Sequence, residues 1–262
     1  MIYGKMPVLF LSAVFSEKNG SINNTVAQYI LEHQELVRDM GITELADACH
    51  VSPSSISRFC KEIGLDNFAE LRELMQTNQM VFDHSPSPSG TRQGIRATVQ
   101  KITDSIHMAG KTVNPQKLRQ LCQEIDRFPK VAAFGLLKAE TAAISLQCDL
   151  LMQGKQLFTQ VSYPQQLEYI QSATQEDLIL IFSCTGSYFE YQDFRSKQEA
   201  LQRPRIWMIT GVDKKYPPFI DETLSYAAGH GQAGHPYQLL TIASLIAQEF
   251  AEYTESKKKS LL

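Results

Sequence analysis

The sequence predicts a two-domain α + α/β protein: an all-α N-terminal domain with a helix-turn-helix, then a three-layer α/β domain on a parallel sheet. Three observations predict this. Residues 42–63, ITELADACHVSPSSISRFCKEI, hold two short helical apolar periodicities with a break between them. Residues 83–91, DHSPSPSGT, have no periodicity and the Pro/Ser/Gly composition of a linker. Beyond residue 92, short apolar runs alternate with helical stretches, the pattern of a parallel sheet covered on both faces. The expected boundaries are therefore 1–82, 83–91 and 92–262.

A chain of 262 residues, 43% hydrophobic and 20% charged, is long enough for two domains with real cores. Five cysteines (49, 60, 122, 148, 184), odd in number and without a CxxC, imply neither a disulfide framework nor a zinc site and suit a reducing cytoplasm. The apolar run Met6 to Phe15 is too short to span a bilayer and lacks a signal-peptide cleavage site. It is expected to form a first helix packed on the domain that follows. No cofactor, metal or membrane partner is expected. The net charge is −3, and residues 1–84 carry six Lys and Arg against eleven Asp and Glu. That balance weighs against a strong phosphate term and predicts a shallow salt dependence for any nucleic-acid binding.

The N-terminal elements follow in order. Asn23–Val37 is expected as one helix, with Val26, Tyr29, Ile30 and Val37 on one side. Thr43 is the expected N-cap of the next, whose Leu45, Ala46 and Cys49 share a face. His50 stands at a turn position often held by glycine, where a left-handed conformation is required at some strain. Ser52 caps the second helix of the motif, and Pro53 takes its first position. Ile56, Phe59, Cys60 and Ile63 form its apolar stripe. The opposite face carries Ser54, Ser55, Ser57, Arg58 and Lys61, with Glu62 the one acid between Ser52 and Gly64. Hydroxyls and a guanidinium near a helix start are groups that reach base edges and phosphates. Thr43, Ser52, Ser54, Ser55, Ser57, Arg58 and Lys61 are thus the candidate DNA contacts; a helical hairpin without DNA binding is the plain alternative. Gly64 ends the helix, and Asn67 with Glu70 resembles a capping box for a last helix.

In the second domain, Ile95, Val99, Ile102 and Ile106 mark one amphipathic helix and Leu118, Leu121 and Ile125 another. Arg92, Arg96 and Lys101 read as a solvated face. Strands are expected at Val131–Phe134, Leu157–Gln160, Leu178–Phe182, Ile206–Thr210 and Leu224–Ala228. Helices are expected at Ala139–Met152, Gln165–Ser172, Phe189–Gln202 and Tyr237–Tyr253, with Lys257–Lys259 a frayed tail. Ligands of such sheets sit outside the carboxyl ends of strands. There, Ser183-Cys184-Thr185-Gly186-Ser187 offers hydroxyls, a glycine and the free N–H groups of a following helix, a cradle for phosphate. The other strand end runs into Gly135-Leu136-Leu137-Lys138-Ala139. His230 and His235 lie on a glycine-rich stretch read as a mobile loop rather than a metal pair.

Residues 24–75, with TVAQYILEH, ITELADACHVSPSSISRFCKEIGL and NFAELRELM, resemble the N-terminal domain of RpiR/MurR-type transcriptional regulators. SSISRFCKEIGL is the most specific part. In that family a sugar-isomerase-like (SIS) domain follows and senses a phosphorylated sugar, and the resemblance continues from about Gln116 to the C-terminus. It implies that Ser183, Thr185 and Ser187 hold the sugar phosphate, with Gly135 and Gly186 in the two loops of the effector site. Lys138 offers a charge to a phosphate by its position, and a solvated lysine at a helix start is the plainer alternative. The chain departs from the family in three places: Tyr188 replaces a threonine, Leu137 replaces the second glycine of a G-x-G-x-S-like turn, and Ala139 replaces its hydroxyl. A leucine there is expected to obstruct close approach of a ligand. The implied function is a DNA-binding regulator whose SIS-like domain senses a phosphorylated sugar, acting on an operator as a homodimer or tetramer, with no catalytic residues. A ligand is expected to act through the helix after the linker. Two alternatives stand beside it: a sugar-phosphate isomerase using Glu140 and Glu190, and a regulator whose SIS-like domain only oligomerises.

Overall fold

The computed structural model describes residues 4–77, 91–191, 202–229 and 231–260. The expected linker lies outside them except for Thr91, as does most of the expected helix Phe189–Gln202. The N-terminal part has six helices among the described residues: α1 (Lys5–Ser16), α2 (Ile22–Glu32), α3 (Gln34–Val37), α4 (Ile42–Ala48), α5 (Pro53–Glu62) and α6 (Phe68–Thr77). The single helix expected over Asn23–Val37 is two, because His33 leaves helical geometry at φ −123 and ψ 36. Gly41, not Thr43, is the N-cap of α4. The Glu44 carboxylate accepts the Gly41 N–H at 2.6 Å, so the terminal donor is satisfied from inside the first turn and Thr43 falls within the helix. Helix α5 starts as expected, with the Ser52 hydroxyl accepting from the Ser55 N–H at 3.2 Å and Pro53 first. His50 adopts φ 55 in the turn, and Gly64 adopts φ 89 after α5. Leu45, Ala46, Ile56, Phe59 and Cys60 are all buried between the helices.

The second part holds α7 (Thr91–Thr112), α8 (Pro115–Arg127), β1 (Lys130–Gly135), α9 (Glu140–Met152), α10 (Tyr163–Ser172), β2 (Asp177–Phe182), β3 (Arg205–Thr210), β4 (Glu222–Ser225), α11 (Gly231–Gly234) and α12 (Tyr237–Ser260). The strands are parallel in the order β1-β2-β3-β4, with Gly135 opposite Phe182 at the carboxyl ends. Side chains alternate across the sheet. Val131, Ala133, Leu178, Leu180, Trp207 and Ile209 point into a cluster with α8, α9 and α12. Ala132, Phe134, Ile179, Ile181, Ile206 and Met208 point to the side of α10. The expected strand Leu157–Gln160 reduces to one parallel bridge, Phe158 to Ala132. Only the Phe158 peptide reaches β1, with its N–H on Val131 and its carbonyl on Ala133. The lysines at 257–259 are not frayed: α12 runs on through them, and Lys257 reaches Asp126 of α8 at 2.6 Å. Of α7 only Ser105 and Ala109 are buried, and Ile95 and Val99 face solvent.

Helix α1 packs on both parts, not only on the domain that follows it. Met6, Val8, Leu9, Phe10, Ser12 and Ala13 are buried, so it is enclosed nearly all round. Phe10 stacks on Phe59 of α5 with ring centroids 6.3 Å apart, and Lys5 pairs with Glu70 of α6 at 2.7 Å. On the other side the Ser12 hydroxyl donates to the Val161 carbonyl at 3.2 Å and accepts from the Tyr163 N–H at 2.8 Å. Ser12 thereby caps α10, whose own Ser162 makes no side-chain cap. One apolar cluster consequently runs from the helix-turn-helix through α1 to the α10 side of the sheet.

Candidate nucleic-acid interface and candidate effector site

Helix α5 turns its apolar stripe inward and leaves Ser52, Ser54, Arg58 and Lys61 exposed, with Ser57 half-buried. Ser54, Arg58 and Lys61 follow the i, i+4, i+7 spacing of one helical edge. Thr43 is exposed in the first turn of α4. Ser55 is the exception among the expected contacts. It is buried beside Ile56 and Phe59, and its hydroxyl lies 2.9 Å from that of Ser52, so it serves the turn rather than the surface. Ser52 and Ser54 hydroxyls are 2.7 Å apart at the helix start. Glu62 accepts from the Asn23 amide at 2.6 Å, which ties the one acid of the segment back to α2.

At the end of β1 the turn combines a glycine-like backbone with apolar side chains. Leu137 adopts φ 56, a left-handed conformation that glycine takes without strain. Gly135 has no room for a side chain, since a Cβ would come to 2.6 Å from the carbonyl carbon of Ala139. The Gly135 N–H is already committed: it donates to Glu140 Oε2 at 2.9 Å. The same oxygen accepts from the Gln166 amide at 2.9 Å, and Oε1 accepts from the Thr159 hydroxyl at 2.7 Å. Gln166 in turn accepts from the Tyr188 hydroxyl at 2.7 Å, and the Tyr163 hydroxyl donates to the Tyr188 carbonyl at 2.7 Å. Burial pushes the Glu140 carboxyl up to about 7 against those hydrogen bonds, which favour the carboxylate. Lys138 is exposed.

The loop after β2 is pinned to the end of β3: the Ser183 N–H donates to Ile209 and the Gly211 N–H to Cys184, both at 3.0 Å. Gly186 has φ 65, and a Cβ there would strike the Tyr216 hydroxyl, which donates to the Val212 carbonyl at 2.9 Å. The hydroxyls of Thr185 and Ser187 are 2.6 Å apart, and Ser187 lies 3.4 Å from the Tyr191 hydroxyl. Ser183 and Ser187 are buried and Thr185 is half-buried. The helix expected next begins, among the described residues, only as a 3-10 turn over Tyr188–Glu190. Glu190 faces solvent and pairs with Lys214 at 2.7 Å.

Both loops meet at one small cavity of about 30 Å³, lined among others by Leu136, Ala139, Ser183, Thr185, His235 and Val8 of α1. Two of these were not expected. Val8 arrives from more than a hundred residues away in sequence, and no local pattern announces it. His235, read as part of a mobile loop, is buried; burial first and the Lys138 charge second push it down to about 4, so it is neutral near pH 7. His230 lies outside the described residues. Among the described residues no cluster of His, Cys, Asp and Glu is placed to hold a metal ion, and no helix is long and apolar enough to cross a membrane.

Comparison with known proteins bears on both sites. Residues 16–79 match the family model described as the helix-turn-helix domain of the rpiR family. An HTH-type transcriptional regulator of Caldanaerobacter subterraneus is 27% identical over 139 residues, 50% of this chain and 49% of that one. The HTH-type transcriptional regulator GlvR of Bacillus subtilis is 27% identical over 110 residues, 42% of this chain and 39% of that one. The chain thus spans half or less of the length of these two relatives. The solved structure of the Vibrio vulnificus NanR protein complexed with ManNAc-6P covers 97% of this chain and 94% of its own, with a TM-score of 0.51 at 18% identity. The two share a fold across both parts.

Proposed function

We propose that this chain, whose residues 16–79 form a helix-turn-helix domain of the rpiR family, is a transcriptional regulator that binds operator DNA through α5. The observation that carries this reading is the exposed edge Ser54, Arg58 and Lys61 on the second helix of that motif. Arg58 reads a base edge, Lys61 meets phosphate, and Ser52, Ser54, Ser57 and Thr43 supply hydroxyls around them. Ser55 drops out because it is buried. One such domain carries little positive charge, so the protein acts as a homodimer or tetramer that places two of them on one site. It works in the cytoplasm, which suits its free cysteines. The α/β domain senses a phosphorylated sugar, with the phosphate at the hydroxyls of Ser183, Thr185 and Ser187. Support comes from the conformation of that loop and from the shared fold with NanR, a protein complexed with ManNAc-6P.

The isomerase alternative needs a carboxylate at the substrate. Glu140 is engaged by Gly135, Gln166 and Thr159, and Glu190 by Lys214, so neither is poised for that task. The test is an operator titration with and without a panel of sugar phosphates that includes ManNAc-6P. Arg58→Ala lowers operator affinity by about 1–3 kcal/mol more than affinity for random DNA. Thr185→Val leaves ligand-free operator binding unchanged and abolishes the ligand's effect. A wild-type protein indifferent to every sugar phosphate would sink the sensing half, and an Arg58→Ala protein with unchanged operator affinity the DNA half.

A further inference from the structure

We infer that α1 is the resident occupant of the effector site, so that a ligand of the β2 loop and the docked α1 compete for one surface. This rests on the reading that the β2 loop takes a phosphorylated ligand. The cavity of about 30 Å³ has room for a water molecule and not for a sugar phosphate, whose pockets are about tenfold larger. A ligand therefore enters only if a wall moves. Ser183 and Cys184 are fastened to the end of β3 by backbone hydrogen bonds. Ala139 is held against Gly135 in the turn that Glu140 braces. His235 and Tyr191, both buried, complete the lining contributed by the α/β part itself. Val8 belongs to the one wall that comes from outside that part, a helix held to it by apolar contact and by the Ser12 hydroxyl. Helix α1 is the wall that gives.

Its departure would be felt at the DNA. Phe10 of α1, on the face opposite Val8, stacks on Phe59 of α5, and Lys5 pairs with Glu70 of α6, so α1 is also bonded to the reading domain. A ligand that displaces α1 releases or re-aims α5. This route differs from the one expected through α7, whose N-terminal half touches little. It also sets the apparent affinity, which equals the intrinsic one reduced by the fraction of molecules with α1 undocked.

The test uses the full chain. ManNAc-6P, glucose 6-phosphate and inorganic phosphate are titrated calorimetrically into wild type, Ser12→Ala and Val8→Ala, each with and without Thr185→Val. Hydrogen exchange of the amides of residues 5–16 is followed in wild type with and without the tightest of these probes. Loosened docking is expected to tighten binding at least fivefold in both α1 variants. Saturation is expected to speed α1 exchange at least tenfold in wild type, a readout that depends on no substitution. Thr185→Val abolishes binding throughout. Equal affinities in all three proteins, with α1 still protected at saturation, overturn the competition and leave the sensing reading standing. No binding to any form, including those with loosened α1, overturns both.

Discussion

The turn after β1 and the loop after β2 lie side by side at the carboxyl end of one sheet, yet they are held in opposite ways. The first is closed by its own chain: Glu140 takes the Gly135 N–H, and Gln166 and Thr159 hold Glu140. The second keeps its hydroxyls for one another, Thr185 to Ser187 and Ser187 to Tyr191, bonds that a stronger acceptor can replace. The lesson is that a glycine-like backbone shape does not by itself leave a donor free. Leu137 sits at φ 56, as a glycine would, in a turn whose Gly135 N–H is taken up internally. Two neighbouring turns of similar outline can thus differ in what they leave for a ligand.

The contrast is broken most severely at Glu140. At pH 5, Glu140→Ala leaves the Gly135 N–H and the Thr159 hydroxyl without their acceptor, while the Gln166 amide keeps the Gly135 and Gln160 carbonyls. A loss on the order of 2–4 kcal/mol in urea unfolding is expected, since each buried unpaired group costs about 1–3 kcal/mol and Thr159 is only partly buried. A loss under 1 kcal/mol, on the order of an exposed pair, would mean that the first turn is not braced as described.

Two buried titrations sharpen the picture. Glu140, raised to about 7 from 4.5, binds its proton more tightly folded than unfolded; its contribution is full below pH 4.5 and is lost as pH rises through 7. His235, lowered to about 4 from 6.5, does the reverse; its contribution is full above pH 6.5 and is lost as pH falls through 4. Each slope amounts to about 3 kcal/mol, and they oppose one another between pH 4.5 and 6.5. Glu140→Gln removes the first, so its stability should climb by that amount from pH 4 to about 8 relative to wild type. A Glu140→Gln protein with the same pH profile as wild type would refute the assignment.

At the second loop, Gly186→Ala forces a side chain into a left-handed position and onto the Tyr216 hydroxyl. The expected cost is about 2 kcal/mol in unfolding, with loss of any sugar-phosphate response, because the strain and the clash fall on the loop itself. The smallest effect belongs to Leu137→Gly. Relief of about 1–2 kcal/mol of backbone strain is offset by lost side-chain burial and added unfolded-chain freedom, so the net change stays within about 1 kcal/mol. A large destabilisation instead would assign Leu137 a packing role that outweighs its conformation.

What was legible in the sequence follows the range of the interactions. The helix-turn-helix was, because its periodicity, the Ser52 cap, Pro53 and the turn at His50 are all local. Even there the sequence does not separate Thr43 from Gly41 as the cap of α4, since an N-cap hydroxyl and a Glu44 that reaches back to Gly41 leave nearly the same trace. The burial of Ser55 is not legible because it sits at the margin of the apolar stripe, where periodicity does not decide exposure. The positions of the two loops followed from the strand-end rule. The brace on Gly135 did not, because Thr159 and Gln166 come from 19 and 26 residues beyond Glu140. The double role of α1 was hidden for the same reason: Ser12 and Tyr163 are separated by 151 residues. The strand expected at Leu157–Gln160 failed because an apolar run can pair through one residue as well as through four.

The hydroxyl of Ser12 has a consequence for how the molecule comes apart. An α-helix needs its first N–H groups satisfied, and α10 obtains one acceptor from the far end of the chain. The start of α10 therefore cannot be fully formed unless α1 is in place, and α1 is in place only while Phe59 and its neighbours hold Phe10. Without ligand the two parts belong to one cooperative unit. Heating it should give a single calorimetric transition, in which loosening the DNA-reading helices and exposing the α10 face of the sheet are the same event.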